Sequence, residues 1–448
     1  MDWLIALAVV PVALWMMFSA GGRLLLVMAA GLFVFTPGDA AFAPKLVFLA
    51  LLFGSSAISL LRLRGAGIRP SAAVAASAAC YLVTLLIAAI EGWSASPQAT
   101  MQNGLPYVMV LLVPPIAIDA GMNSSRRLLE SGMLAVGITG ALSFTVHWLA
   151  RRGVSSLDIN GLFATSLLMP ALVFQWGLMV TTDKSRALIT RFSAAGLSLL
   201  IPFALLVTGT RSALILGVGF AVFLIWRLLR KRILVTIGAA VATVAIAVPL
   251  LGWLASKLLK QTDFLSRRLE ALQNAVVYGS YGDESLAGRN YSSDVVRSVV
   301  EGQWLFGLGL STPDPIAAFD TPLSTVMRIG VAGNFFLLVY LTSALWWAMK
   351  SASSNPAGDS IRAMTIGWFL TVLAHGALLS PPTDDRLFAF AFANAIALAL
   401  NTRYGQHQDV NPPTARNRSQ DTKQLELSPQ PQSVLTFPRG RGGISYKE

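Results

Sequence analysis

The sequence predicts an all-α protein, a polytopic membrane bundle of about 12–13 spanning helices with one large helical loop on the exterior side. Three observations predict it. Of 448 residues, 54% are hydrophobic and only 12% are charged, whereas soluble domains carry about 25% charged residues. Apolar runs of about 17 to 23 residues recur along most of the chain, each long enough to cross a bilayer. The arginines gather in short loops after every second run, which is the topology signal of a membrane protein. In a soluble protein the net charge of +12 would suggest nucleic acid. Here the loop arginines account for it, and no nucleic-acid partner is expected.

The predicted spans are 3–19, 22–37, 44–61, 72–90, 105–120, 128–149, 161–181, 189–208, 212–229, 233–254, 331–349, 361–380 and 386–401. The first starts at Trp3 without a basic flank and reads as retained rather than cleaved. Arg23, Arg62/Arg64/Arg69, Arg126/Arg127, Lys184/Arg186/Arg191, Arg227/Arg230/Lys231/Arg232 and Lys350/Arg362 alternate onto one side, cytoplasmic by the positive-inside rule, together with the tail. Residues 1–254 form an N-terminal transmembrane bundle, 255–330 the exterior loop, 331–401 the C-terminal transmembrane helices and 402–448 a tail. The tail is rich in Pro, Gln, Ser, Asn and Arg, cannot bury enough apolar surface to offset its ordering entropy, and is expected to be disordered. Its RGRGG at 439–443 reads as solvated rather than as a contact for headgroups or RNA. Cys80 is the single cysteine and lies in an apolar run, which excludes disulfides within the chain.

The stretch that organises the exterior loop is Gly288–Leu310. It predicts a helix capped by Asn290 or Ser292 and ended at Gly302, then Trp304-Leu305-Phe306 and the flexible Gly307-Leu308-Gly309. The first piece of the loop, Leu254–Val277, is amphipathic and is read as lying on the outer leaflet or packing on its own domain.

Arg211, in Thr208-Gly209-Thr210-Arg211-Ser212, opens a span on the side where the charge rule gives no reason for an arginine. A guanidinium at a helix N-terminus suits phosphate oxygens, because its fork binds bidentately and the helix dipole adds positive potential. The competing reading is an arginine reaching to headgroups. Arg289 and Arg297 are substrate-binding candidates in the loop. For Arg297, a helix-surface pair with Asp294 or Glu301 is the alternative. Arg151 and Arg152 line a groove or anchor headgroups. Lys45 and Arg386 read as interface anchors. Among the carboxylates, Asp320 is the best-placed general base and Asp384-Asp385 the second. His147 and His375 read as packed polar residues. No motif for a metal appears, and neither metal nor cofactor is expected.

Three features together resemble the O-antigen polymerase and ligase superfamily. They are TGTRSALILGVGFAVFLIW at 208–226; Gly288-Arg289 followed by Trp304 and Gly307-Leu308-Gly309 in one exterior loop; and Asp320 ahead of Arg328-Ile329-Gly330-Val331-Ala332-Gly333. The resemblance implies a GT-C-like helical membrane fold in the bacterial inner membrane, with a periplasmic active face and a cytoplasmic tail. It implies a metal-independent glycosyltransferase acting on sugars carried by undecaprenyl diphosphate. Arg211 and Arg289 would hold the diphosphate and stabilise its charge, with Arg297, Arg151, Arg152 and Trp304 lining the substrate and Asp320 as base. Ligases of the family carry a histidine where this chain has Phe319-Asp320, which favours a polymerase of lipid-linked repeat units over a ligase to lipid A core. The expected partners are glycan donor and acceptor on undecaprenyl diphosphate, membrane lipids, and a chain-length regulator and flippase of the same pathway. A transporter or flippase is the rival from another class, and it predicts ionisable residues inside the spans. A scaffolding membrane subunit is the third reading.

Overall fold

The computed structural model describes residues 11–34 (except 13), 42–150, 166–183, 186–207, 284–311, 323–378 and 381–404. These residues form helices and their connecting turns, with no strand among them. In chain order the helices are α1 (Ala20–Val34), α2 (Phe42–Gly65), α3 (Ala72–Ala95), α4 (Pro97–Asn123), α5 (Arg126–Ala150), α6 (Leu168–Thr182), α7 (Leu188–Val207), α8 (Glu284–Val300), α9 (Ser324–Ser351), α10 (Pro356–Leu378) and α11 (Phe388–Tyr404), with a 3₁₀ turn at Pro382–Asp384. Five segments, Lys45–Gly65, Ala72–Ala95, Pro97–Asn123, Arg126–His147 and Ser324–Ser351, are long and apolar enough to cross a bilayer. The protein is a helical, multi-pass membrane protein. The predicted spans 212–229 and 233–254 lie outside the described residues, as does most of the tail.

α11 is the hub. Every residue from Phe388 to Thr402 is buried, and the helix packs on α1, α4, α5, α6, α9 and α10. Its sequence, FAFAFANAIALAL, is apolar all round, the composition of a helix enclosed by others rather than one facing lipid on one side. Small alanines between the phenylalanines let neighbours approach closely. Phe388 stacks on Trp368 of α10 and on Phe392 one turn on. Asn401 donates to the carbonyls of Gly121 and Ser124 at 3.0 and 2.9 Å, joining the ends of α11 and α4.

α4 is longer than the predicted span 105–120, starting at Pro97. Ser96 caps it, its hydroxyl accepting from Ala99 N at 3.4 Å, and Pro97 occupies the first helical position where no N–H is needed. Polar Gln98, Gln102 and Asn103 in the first turns hid this start. Inside the helix, Pro115 has no N–H to offer the carbonyl of Leu111, four residues back. The Tyr340 hydroxyl on α9 donates to that carbonyl at 3.1 Å. A bilayer leaves no water to do so, and the tyrosine thereby satisfies the group and binds α9 to α4.

The helix ends sort into two levels. Arg62 donates to the Phe18 carbonyl, Glu130 at the start of α5 accepts from Arg126 and from Arg186 ahead of α7, and Thr402 accepts from Ser353 N. Among the described residues, Arg62, Arg126 and Arg186 therefore lie at helix ends that carry basic loops in the predicted alternation, while Lys184 and Arg227–Arg232 lie outside the described residues. Arg23 departs from its expected place in such a loop. It lies within α1, fully buried, and pairs with Asp119 of α4. A guanidinium inside a bundle must be compensated, and Asp119 supplies the charge.

Candidate functional site

The opposite end of the bundle carries the loop that the sequence singles out. α8 runs from Glu284, six residues before the predicted Asn290 cap. It ends where expected, with Gly302 at φ 86° just beyond. Val296 and Val300 on its inner face pack with Leu308, Leu323 and Met327 into a small core of their own. The chain then lays Trp304–Leu310 across the start of α9. Leu308 N–H donates to the Met327 carbonyl at 2.8 Å, while Val331 N–H and Ala332 N–H donate to the carbonyls of Trp304 and Leu305 at 2.8 and 3.0 Å. Leu310 N–H donates to Ala88 of α3 at 3.0 Å, and Asn103 of α4 donates to the Leu310 carbonyl at 2.8 Å. Two stretches that are separate in sequence, Gly307–Gly309 and Arg328–Gly333, thus form one unit clamped on α3 and α4.

Two glycines make that clamp possible. Gly330 breaks α9 with φ 68° and ψ 179°, and a Cβ there would sit 2.5 Å from the carbonyl carbons of Leu305 and Phe306. Gly309 has φ 89°, and a Cβ there would sit 2.6 Å from Gly92 N. Only glycine takes this backbone without strain and leaves room for the second chain.

Beneath the loop, a polar recess joins an apolar cleft. The recess gathers Tyr107 of α4, Arg328 of α9, and Thr383 and Asp384 of the 3₁₀ turn, with the Arg328 guanidinium and the Thr383 hydroxyl beside the Tyr107 hydroxyl. Tyr107 and Thr383 are buried, and the two hydroxyls and the Arg328 guanidinium partner one another there. The cleft, about 400 Å³, runs between α9 and α10 from Thr325, Asn334 and Thr383 along Leu337, Leu341 and Val372. Leu338 and Leu373 at its rim are 43% and 38% exposed. Arg386 closes the far side of the turn, its backbone carbonyl against Gly31 of α1.

Asp385 has a different task from the one weighed for it. Its carboxylate accepts from Ser166 Oγ at 2.9 Å, from Leu167 N and Leu168 N at 2.7 and 2.8 Å, and from Leu387 N at 2.9 Å. Those are the open donors at the starts of α6 and α11, so Asp385 is a double helix cap rather than a base. Arg297 is an exposed surface residue 3.5 Å from Asp294, the side-chain pair that competed with a binding role, and such pairs contribute about 0–1 kcal/mol. Trp304 is at the clamp, 37% exposed. Lys45 and His375 are buried. Arg151, Arg152, Arg211 and Asp320 lie outside the described residues. Arg289 is on α8, with its side chain outside them. Tyr107 and Thr383 escaped the reading of the sequence, and Arg328 entered it only within the motif Arg328–Gly333, with no role of its own. Arg328 offered a signal, a cation two residues before a glycine that opens a span, whereas Tyr107 offered none.

Fold and site together define the class: a polytopic helical membrane protein with a clamped extramembrane helix and a polar recess opening to an apolar cleft. No protein-family model matches the chain, and no curated protein matches it significantly.

Proposed function

We propose that this protein is a glycosyltransferase that polymerises oligosaccharide repeat units carried on undecaprenyl diphosphate, at the periplasmic face of the bacterial inner membrane. The observation that carries the reading is the hydrogen-bonded union of Trp304–Leu308 with Met327–Ala332, which lie in two of the three features on which the family resemblance rests. The cleft between α9 and α10 supports it chemically. An apolar slot with Thr325, Asn334 and Thr383 at its polar end, Thr383 lying beside Tyr107 and near Arg328, suits a substrate with a hydrocarbon chain and a polar head. In this reading Arg211 and Arg289 hold the diphosphate and stabilise its charge as it leaves. Asp320 takes the acceptor proton, and Arg297, Arg151, Arg152 and Trp304 flank the sugars. A chain-length regulator and a flippase act beside it.

Deletion in the native host tests the reading through the glycan profile. A polymerase mutant accumulates single repeat units outside, and a ligase mutant accumulates finished polymer on its carrier. A flippase mutant traps single units inside, which would overturn the reading. The transport alternative draws on one observation, the buried Arg23–Asp119 pair, since transporters place ionisable groups inside their spans. Against it, both Asp119 oxygens are engaged, by Arg23, by Ser59 Oγ at 3.2 Å and by Asn123 Nδ2 at 2.7 Å, the arrangement of a fixed staple.

A further inference from the structure

We infer that Trp304, Leu305 and Phe306 form an interfacial anchor that seats the turn after α8 in the lipid headgroup–acyl boundary. Trp304 also flanks the sugars in the proposed function, but the anchor rests on exposure and backbone geometry alone, and its test reads Leu305 and Phe306. The three side chains are 37%, 60% and 39% exposed, yet their backbone is pinned: Trp304 and Leu305 carbonyls accept from Val331 and Ala332, and Gly307 N–H donates to Gln303 at 2.9 Å. A rigid turn that presents an indole, a leucine and a phenyl ring outward needs a partner that covers them.

The outer face of α9 says which partner. Val331, Phe335, Leu338, Thr342 and Trp346 are exposed at steps of three and four residues, one continuous stripe along a helix long and apolar enough to cross a membrane. That stripe faces lipid, and the turn is hydrogen-bonded to its first residue. Lys350 marks the other end of the stripe, on the side predicted for the basic loops. At about 1.5 Å per residue, the nineteen residues between Lys350 and Val331 span about 28 Å, close to the hydrocarbon thickness of about 30 Å. If Lys350 lies at one headgroup level, the turn lies at the other, the depth at which tryptophan is enriched in membrane proteins. The polar side of α8, with exposed Asp294, Arg297 and Ser298, then faces water. The anchor fixes α8 at a set height above the bilayer.

Fluorescence quenching in lipid nanodiscs tests this with the full-length protein carrying Cys80→Ala. An environment-sensitive fluorophore is attached at Leu305→Cys or, as the aqueous control, at Ser298→Cys. Phe306→Cys repeats the measurement if Leu305→Cys fails to insert. A probe buried about 5–10 Å into the interface should lose at least about twofold more emission than the Ser298 probe to phospholipid with a nitroxide high on its acyl chain. Iodide in the buffer should give the opposite order. Equal iodide quenching at both sites overturns the anchor. Protection of Leu305 from both quenchers overturns it as well, because a second copy or another protein would then be covering the turn.

Discussion

Arg23 of α1 and Asp119 of α4 form an ion pair in which neither side chain has any exposed surface. Arg23 also donates to the Met17 carbonyl at 2.5 Å, and Ser59 of α2 completes the contact with Asp119. Three helices are thereby held by one charge pair. Removing only one partner leaves the other charge stranded in low dielectric. Arg23→Met should cost about 3–5 kcal/mol, while Arg23→Met with Asp119→Leu should return to within about 1 kcal/mol of wild type or exceed it. Equilibrium unfolding in mixed detergent micelles measures both. A double variant as unstable as the single one would show that the pair is needed for more than its own compensation.

Gly330→Ala should release the clamp. Its positive φ costs a side chain about 1–3 kcal/mol before the collision with Leu305 and Phe306 is counted. Limited proteolysis should therefore cut the 302–310 segment faster in Gly330→Ala than in wild type. Gly132→Ala on α5, where a Cβ meets nothing within 4 Å, should change stability by no more than about 1 kcal/mol and leave the cleavage pattern alone.

Tyr340→Phe should cost about 1–3 kcal/mol, the cost of leaving the Leu111 carbonyl without a donor. Pro115→Ala in the same chain supplies the missing N–H from within α4. The loss on Tyr340→Phe should then shrink toward zero, because phenylalanine keeps the ring that stacks on Tyr81, centroids 6.0 Å apart. Comparing the two backgrounds by thermal unfolding isolates the hydroxyl.

Three arginines carry the functional prediction. Arg211→Ala, Arg289→Ala and Arg328→Ala should each lower polymer formation by about 10²-fold or more, with the protein still inserted at normal levels, if each stabilises charge on the leaving diphosphate. Immunoblotting of membranes sets the protein level, and gel profiles of the glycan set the activity. Full activity in any variant removes that arginine from the site.

Much of the architecture was legible because a bilayer imposes it. An apolar run of the right length has few alternatives to a helix, so every described span became one, although α4 and α9 start eight and seven residues before the predicted spans and α6 seven residues after. The start of α8 was missed by six residues since Asn290 and Ser292, good caps in isolation, are equally tolerable inside a surface helix. Asp119 was an acidic residue within a predicted span, a visible signal of a buried pair. Its partner was not visible, because Arg23 conformed to the loop pattern expected of any arginine near a helix start.

Run length and charge placement along the chain determined that this protein is a helical membrane protein and predicted one side for its basic loops. Those are properties of single segments against a solvent, readable one segment at a time. Tertiary structure alone decided that Asp385 caps two helices, that Tyr340 serves a proline on another helix, and that Tyr107, Arg328 and Thr383 meet beside an apolar cleft. Each of those depends on which helices become neighbours and at what height. That is set by packing between small and large side chains far apart in sequence, which no local pattern encodes.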